Sequence, residues 1–317
     1  MQYTRLGRTG LKVSRLCLGT MSFGSAADKA TSHSIMDAAV DLGINFFDTA
    51  DIYAGDTPGI SETIIGEWLK TKNRREIIIA TKVRAGMWQG VTGEGLSRHH
   101  IIHAVEDSLR RLQTDYIDIY QTHWFDSETT LEETLRAMDD LIRDGKILYA
   151  GASNYPAWLL MKSYWISDVR NICRFETLQP RYSLLTREPY ENQLMDVCRD
   201  QQIGVVPYSP LAAGFLTGKY TRNKRDIDTP RSKSNTVKEL INNERAYDVL
   251  DKVAEIADSH NTSIAHVALA WILAQDTITS PIIGVRTVDQ LTELIGCVDL
   301  TLSEDELKLL DDMSAGF

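Results

Sequence analysis

IIIATKVRAGMWQGVTGEGLSRHHIIHAVEDSLRRLQTDYIDIYQTH, residues 77–123, runs from one short apolar segment through a loop and a helix to the next apolar segment. Ile77–Ala80 and Ile117–Tyr120 have the length and β-branched content of buried strands. Between them Ile101, Val105, Leu109 and Leu112 return every three or four residues, the period of a helix with one apolar face. Each apolar segment is followed by an ionisable side chain, Lys82 in one case and His123 in the other. This is one strand–helix–strand unit.

The unit repeats in both directions. Further apolar runs begin near Arg15 (RLCLGT), Ile44 (INFFDTA), Ile147 (ILYAGASN), Phe175 (FETLQP), Ile203 (IGVVPYS) and Ser280 (SPIIGV), which makes eight candidate strands. Up to Ile203 successive runs start 28–40 residues apart, room for one strand, one helix and two loops. Leu131, Leu135, Met138 and Ile142 mark another helix, opened by a Thr130/Glu133 capping box and ended by Gly145. Ser303 with Glu306 opens a last one. Strands alternating with helices predict an α/β protein with a parallel sheet covered on both faces. Eight such strands predict a closed (β/α)8 TIM barrel. RLGRTGLKV reads as an N-terminal β-hairpin turning at Thr9-Gly10, and extra helices follow at the C-terminal end. No linker or low-complexity tract interrupts the chain, so residues 1–317 read as one domain.

The 317 residues are 43% hydrophobic and 25% charged, with a net charge of −10. That composition excludes collagen-like, disulfide-scaffold and disordered classes, and the acidity argues against nucleic acid or anionic membrane as partners. No apolar run approaches the roughly 18 residues of a membrane span, and the first ten residues lack a signal-peptide core, so the expected location is the cytoplasm. Cys17, Cys173, Cys198 and Cys297 are far apart, and Cys17 reads as a buried thiol. Residues 219–238 carry seven Lys/Arg against two Asp, a solvated loop or, in so acidic a chain, a place to hold phosphate.

In a barrel of this kind the chemistry sits on the loops after the carboxyl ends of the strands. Strand two ends in Asp48, strand three in Lys82, strand four in His123 and strand five in Ser153-Asn154; strand six contains Gln179, and strand seven ends in Tyr208-Ser209. Tyr53 follows Asp48 on the same loop. A free phenol titrates near pH 10, and a neighbouring ammonium such as Lys82 would lower that value while Asp48 holds the ammonium in place. Asp, Tyr, Lys and His together suit carbonyl protonation coupled to hydride delivery rather than acyl transfer. Phe23, Trp88 and Trp124 each follow a strand end and are candidates for the substrate pocket, as is Arg84 for an anionic or hydroxylated substrate. A near-miss phosphate loop at Gly214–Lys219, a Tyr220/Lys224 pair and the His99, His100, His103 cluster have no supporting partners and read as incidental.

With those residues in view, the sequence resembles the aldo-keto reductases over nearly its whole length. The resemblance rests on LGTMSFG (18–24), GINFFDTADIY (43–53), SETIIGEWL (61–69), IIIATK (77–82), IDIYQTH (117–123), GASN (151–154), PYSPLAAGFLTGKY (207–220) and IIGVRTVDQL (282–291). It is closer to the longer-loop branch that includes potassium-channel β subunits. The resemblance implies Tyr53 as general acid, tuned by Lys82 and Asp48, with His123 orienting the carbonyl. It implies NADPH/NADP+ as cofactor, with the nicotinamide against Tyr208 and its carboxamide held by Ser153, Asn154 and Gln179. Gly19, Thr20, Met21 and Asp48 would line the same site. Ser209, Pro210, Leu211, Gly214 and Lys219 would cover the pyrophosphate, and Gly284, Arg286, Gln290 and Glu293 the adenosine, with Arg286 and Lys219 toward the 2′-phosphate. Two positions depart from the family pattern, Ala54 before Gly55 and Leu294 after Glu293. The resulting expectation is an NADPH-dependent reductase of sugar-derived or small aliphatic or aromatic carbonyls, with a homo-oligomer allowed. The rival is a nucleotide-sensing binding protein with secondary redox turnover.

Overall fold

The computed structural model describes residues 1–53, 58–225, 227–229 and 231–317. An antiparallel hairpin, β1 (Tyr3–Arg5) and β2 (Lys12–Ser14), leads into eight parallel strands. These are β3 (Cys17–Gly19), β4 (Phe46–Asp48), β5 (Ile78–Val83), β6 (Ile117–Thr122), β7 (Ile147–Ser153), β8 (Phe175–Gln179), β9 (Gly204–Val205) and β10 (Ile282–Gly284). They pair in chain order, with β10 returning beside β3. Backbone bonds from Thr279 N–H to Val205 O and from Ile282 N–H to Pro207 O, both 2.9 Å, join the last segment to the one after β9. The sheet thus curls into the (β/α)8 barrel that the eight apolar runs predict. Each of the eight runs contains one of these strands.

Helices α1 (Lys29–Asp41), α2 (Ile60–Leu69), α3 (Arg98–Leu112), α4 (Leu131–Arg143) and α5 (Ala157–Arg170) fill the first gaps in turn. The gap after β8 holds α6 (Glu188–Glu191) and α7 (Leu194–Gln201). The long gap after β9 holds α8 (Asn235–Leu240), α9 (Glu244–Ser259) and α10 (Ile264–Ala274), and the chain ends in α11 (Val288–Ile295) and α12 (Glu304–Ser314). Caps set the boundaries. Ser303 and Glu306 form a reciprocal capping box at α12. At α4, Thr130 accepts from the Glu133 N–H, but the Glu133 carboxylate accepts from the Arg98 N–H at the start of α3 instead of returning to Thr130. That half of the expected box serves to tie two helices together. Among the described residues no helix is long and apolar enough to cross a membrane.

Strand residues alternate between two cores, as a period of two requires. Ile77 and Ile79 pack outward under the helices, whereas Ile78 and Ala80 point into the barrel with Cys17, Phe46, Ile119 and Ile282. Leu6 and Val13 of the hairpin belong to this inner cluster and close one end of it. The same parity, continued toward the carboxyl ends, reaches Asp48, Lys82, Gln121, Ser153 and Gln179. Gly151 is required within this layer, because a Cβ there would lie 2.2 Å from Thr177 Oγ1 and 2.9 Å from Gln121 Cγ.

Candidate active site

Asp48 and Lys82 follow Phe46 and Ala80 at inward positions, one step beyond the apolar layer. Lys82 is fully buried, and its Nζ donates to both Asp48 carboxylate oxygens (2.7 and 2.9 Å), to the Thr49 carbonyl (2.7 Å) and to the Tyr53 hydroxyl (3.0 Å). Asp48 Oδ2 also accepts from Gln179 Nε2 at 2.7 Å. The Tyr53 and His123 rings meet edge to face with centroids 6.0 Å apart. All four residues that sequence reasoning singled out for catalysis are therefore brought together at one end of the barrel.

The electrostatics differ from expectation in one respect. Burial would favour the neutral amine of Lys82, but Asp48 and then Tyr53 outweigh it and hold the ammonium charged. For Tyr53 the balance runs the other way: burial raises the phenol and exceeds the downward pull of Lys82, so its pKa lies above the ordinary 10. The sequence shows the ammonium but not the depth at which the phenol lies. His123 is pushed down to about 3, first by burial and then by Lys82, and is a neutral imidazole at physiological pH. The arrangement holds a proton on the phenol, a fixed positive charge behind it, and a neutral imidazole beside it.

Beside this group, Asn154 Nδ2 donates to the His123 carbonyl and to Ser153 Oγ, both at 3.0 Å. Its Oδ1 accepts from the Tyr208 hydroxyl at 3.0 Å, and Ser153 Oγ donates to the Gln179 carbonyl at 2.9 Å. Ser153, Asn154, Gln179 and Tyr208 thus form one connected set reaching Asp48. Thr20 N–H and Oγ1 both donate to the Asp48 carbonyl at 3.0 Å, fixing the turn after β3 that carries Gly19 and Met21. Ser209 has φ +56° and Gly214 φ +89°, within a tight turn running from Pro210 and Leu211 to Gly218. A Cβ at Gly214 would lie 2.6 Å from Lys219 Nζ, so that lysine reaches back across the turn.

The basic loop divides into two parts. Arg222 pairs with Glu244, Asp248 and Asp251, and Arg225 with Glu244, which ties both to one face of α9. Lys219, Arg231 and Arg286 have no carboxylate partner among the described residues. Burial, then Arg286 and Arg231, lowers the Lys219 pKa; Arg231 is lowered by burial and by Arg286. Arg231 also reaches Met21 Sδ at 3.7 Å. Three neighbouring cations with no carboxylate partner among the described residues are what a phosphate-bearing cofactor needs, so the residues present fit such a group. Sequence reasoning missed Arg231, although the charge run contained it. Gln290 Oε1 accepts from the Arg286 N–H at 2.9 Å, Glu293 is exposed on α11, and Gly284 ends β10. Leu294, where the family pattern expects Asn, is buried in the core and faces away from solvent.

The pocket candidates separate. Trp124 packs at a tilt of 53° against His123 with centroids 4.6 Å apart, and the Arg84 guanidinium lies 4.9 Å from the Trp124 ring. Arg84 has φ +131°, a backbone conformation costly for a side chain with a Cβ. Trp88 packs on His100 of α3, with centroids 4.6 Å apart. Phe23 is fully buried in the outer core. The Ala54-Gly55 departure lies outside the described residues. Asp51, between Asp48 and Tyr53, is buried with neither carboxylate oxygen bonded to a described residue; burial and then Glu62 push its pKa well up.

The aldo/keto reductase family profile matches residues 15–315. The chain belongs to that family. It is 41% identical to the "Uncharacterized oxidoreductase YrpG" of Bacillus subtilis, over 100% of this chain and 97% of the relative. It is 35% identical to a protein of Arabidopsis thaliana named "Probable voltage-gated potassium channel subunit beta", over 95% of this chain and 92% of that one. Versiconal hemiacetal acetate reductase of Aspergillus parasiticus is 33% identical, over 98% of this chain and 96% of its own. This aldo/keto reductase is accordingly an oxidoreductase of a family that uses a nicotinamide cofactor.

Proposed function

We propose that this aldo/keto reductase reduces an aldehyde or ketone to the alcohol with NADPH, using Tyr53 as the general acid. The observation that carries the reading is the buried Asp48–Lys82–Tyr53 chain, in which the ammonium lies 3.0 Å from the phenol oxygen. NADPH, when bound there, would supply the hydride that the carbonyl carbon takes up. Tyr53 gives its proton to the carbonyl oxygen, and Lys82, held charged by Asp48, stabilises the phenolate left behind until solvent returns a proton. His123, being neutral, orients the carbonyl oxygen as a hydrogen-bond donor and does not supply the transferred proton. Ser153, Asn154, Gln179 and Tyr208 would hold the nicotinamide end, and Lys219, Arg231 and Arg286 the 2′-phosphate. Arg84 over Trp124 favours small or sugar-derived carbonyls with a hydroxyl or anionic group.

Tyr53→Phe tests the assignment. NADPH oxidation at 340 nm with glyceraldehyde, methylglyoxal, benzaldehydes and sugar aldehydes should fall at least ~1,000-fold, while NADPH binding by fluorescence changes little. Activity within tenfold of wild type refutes Tyr53 as the acid. The likeness to the named channel subunit supports a second reading as a nucleotide sensor. Tight NADPH binding with no turnover of any carbonyl in the panel would establish that reading in place of the first.

A further inference from the structure

Three basic side chains stand at the adjacent ends of β5 and β6: Lys82, Arg84 and His123. Two of them present no net positive charge to a substrate, since Lys82 is matched by Asp48 and His123 is neutral. Arg84 is different. Its Nε is buried without a hydrogen bond to a described residue, and its guanidinium has no carboxylate partner among them. Asp126, on the loop after β6, is turned to its own surroundings: it accepts from Leu96 N–H and Thr129 Oγ1 at 2.8 Å and from Glu128 N–H at 3.0 Å. The Arg84 backbone is also strained, at φ +131°. Bonds on both sides hold it there, from His123 N–H to the Val83 carbonyl at 2.9 Å and from Gly95 N–H to the Arg84 carbonyl at 3.0 Å. In this conformation the guanidinium lies over the Trp124 ring, and a guanidinium so placed keeps in-plane N–H donors for a forked pair.

We infer that the carbonyl compound reduced at this site carries an anionic group, a carboxylate or a phosphate, and that Arg84 binds it. The inference rests on the reading of the site as a carbonyl reductase and narrows its substrate class. Tyr53, His123, Trp124 and Arg84 form one continuous wall, with successive steps of 6.0, 4.6 and 4.9 Å. A carbonyl oxygen placed at Tyr53 and His123 therefore leaves the rest of a small molecule to run along Trp124 toward the guanidinium. A hydroxyl there would accept one hydrogen bond and leave the charge uncompensated. An anion offsets the charge and accepts from two donors at once. A strained backbone that aims an unpaired cation along the pocket wall is better explained by a ligand than by packing, because packing on Trp124 needs neither the charge nor the strain.

Matched substrate pairs test this: 4-carboxybenzaldehyde against methyl 4-formylbenzoate, and glyceraldehyde 3-phosphate against glyceraldehyde. For at least one pair the wild-type kcat/KM should favour the anion by ~10–100-fold, the range for hydrogen bonds to a charged group, and the preferred pair tells carboxylate from phosphate. Arg84→Gln should lower that ratio at least ~10-fold, chiefly through KM of the anionic member, because the contact is made equally in ground and transition states. Arg84→Lys, which keeps the charge without the fork, should give an intermediate ratio. Arg84→Gly takes the positive φ without strain, so it should keep the fold by circular dichroism and still lose the preference. Calorimetric binding of the alcohol products, 4-(hydroxymethyl)benzoate against its methyl ester, to the protein loaded with NADP+ reads the same preference without turnover. It therefore separates a failure of this inference from a failure of Tyr53 as the acid. A wild-type ratio within about threefold of unity for both pairs and for the products, or a ratio unchanged in Arg84→Gln and Arg84→Gly, overturns the inference.

Discussion

Replacing Asp48 by Asn removes one charge from a fully buried pair and leaves the other behind. Lys82 has no solvent exposure and Asp48 only 3% at the side chain, so water cannot take the place of the lost carboxylate. The Asn retains one oxygen, whereas the carboxylate accepts from Lys82 on both oxygens and from Gln179 on one. Breaking a buried pair by removing one partner costs about 3–5 kcal/mol, because the surviving charge is stranded. For a chain of this size that corresponds to a fall in Tm of roughly 5–10 °C. Asp48 is also the main influence that keeps Lys82 charged against burial. In Asp48→Asn the lysine tends toward the neutral amine, and turnover should fall by at least ~100-fold. The double variant Asp48→Asn/Lys82→Met removes the stranded charge, and its Tm should recover part of the loss while activity stays low. Calorimetry and initial rates on the three proteins decide the matter. A single variant as stable as wild type, or a double variant no more stable than the single, refutes the claim that the buried pair stabilises by mutual compensation.

Other outcomes follow from the same geometry. Because His123 titrates near 3, the pH profile of kcat/KM should show no limb near pH 6.5; such a limb that disappears in His123→Gln refutes the neutral-imidazole assignment. Asp51 has its folded pKa raised, so the folded state binds more protons than the unfolded one above pH ~3.9, and its contribution turns destabilising as pH rises. Asp51→Asn should therefore raise Tm at pH 8 and gain little at pH 4; a pH-independent difference rejects the assignment. Arg231→Ala and Arg286→Ala should each weaken NADPH binding ~10–100-fold and leave NADH binding within about threefold, measured by fluorescence titration. Equal losses for both nucleotides would refute a 2′-phosphate role. Gly151→Ala should lower Tm through the 2.2 Å clash with Thr177 Oγ1, and Gly151→Ala/Thr177→Ala should restore part of it.

The fold was legible because two physical periods are printed on the chain. Strand runs such as Ile77–Lys82 are short and bounded, and helix stripes such as Ile101, Val105, Leu109 and Leu112 are long and regular. The catalytic candidates were legible for a related reason, since Asp48, Lys82 and His123 each end an apolar run at the end where a parallel barrel places its loops, and Tyr53 lies on the loop after the first of them. Trp88 also follows a strand end, yet its loop carries it back onto His100 of α3, a contact that no local pattern encodes. The basic loop was legible only in part because its division depends on a distant helix. Glu244, Asp248 and Asp251 share one face of α9, and only their packing against Arg222 and Arg225 shows which cations have no carboxylate partner among the described residues.

The inward parity of the strands links stability to chemistry at this site. Along β5 the sequence Ile78, Ala80, Lys82 steps from an apolar layer to a charged one on a single face, and along β4 Phe46 is followed by Asp48. The apolar layer beneath excludes water, which makes the Lys82 charge expensive to bury and also lets it act strongly on Tyr53. The same desolvation raises the phenol pKa, so the proton stays on Tyr53 until a carbonyl oxygen begins to gain negative charge. A more solvated site would release that proton more readily in the resting state, but Lys82 would then contribute less to stabilising the phenolate. Depth in the barrel therefore sets both terms, and a mutation that admits water beneath Lys82, such as Ala80→Ser, should lower kcat before it lowers NADPH affinity.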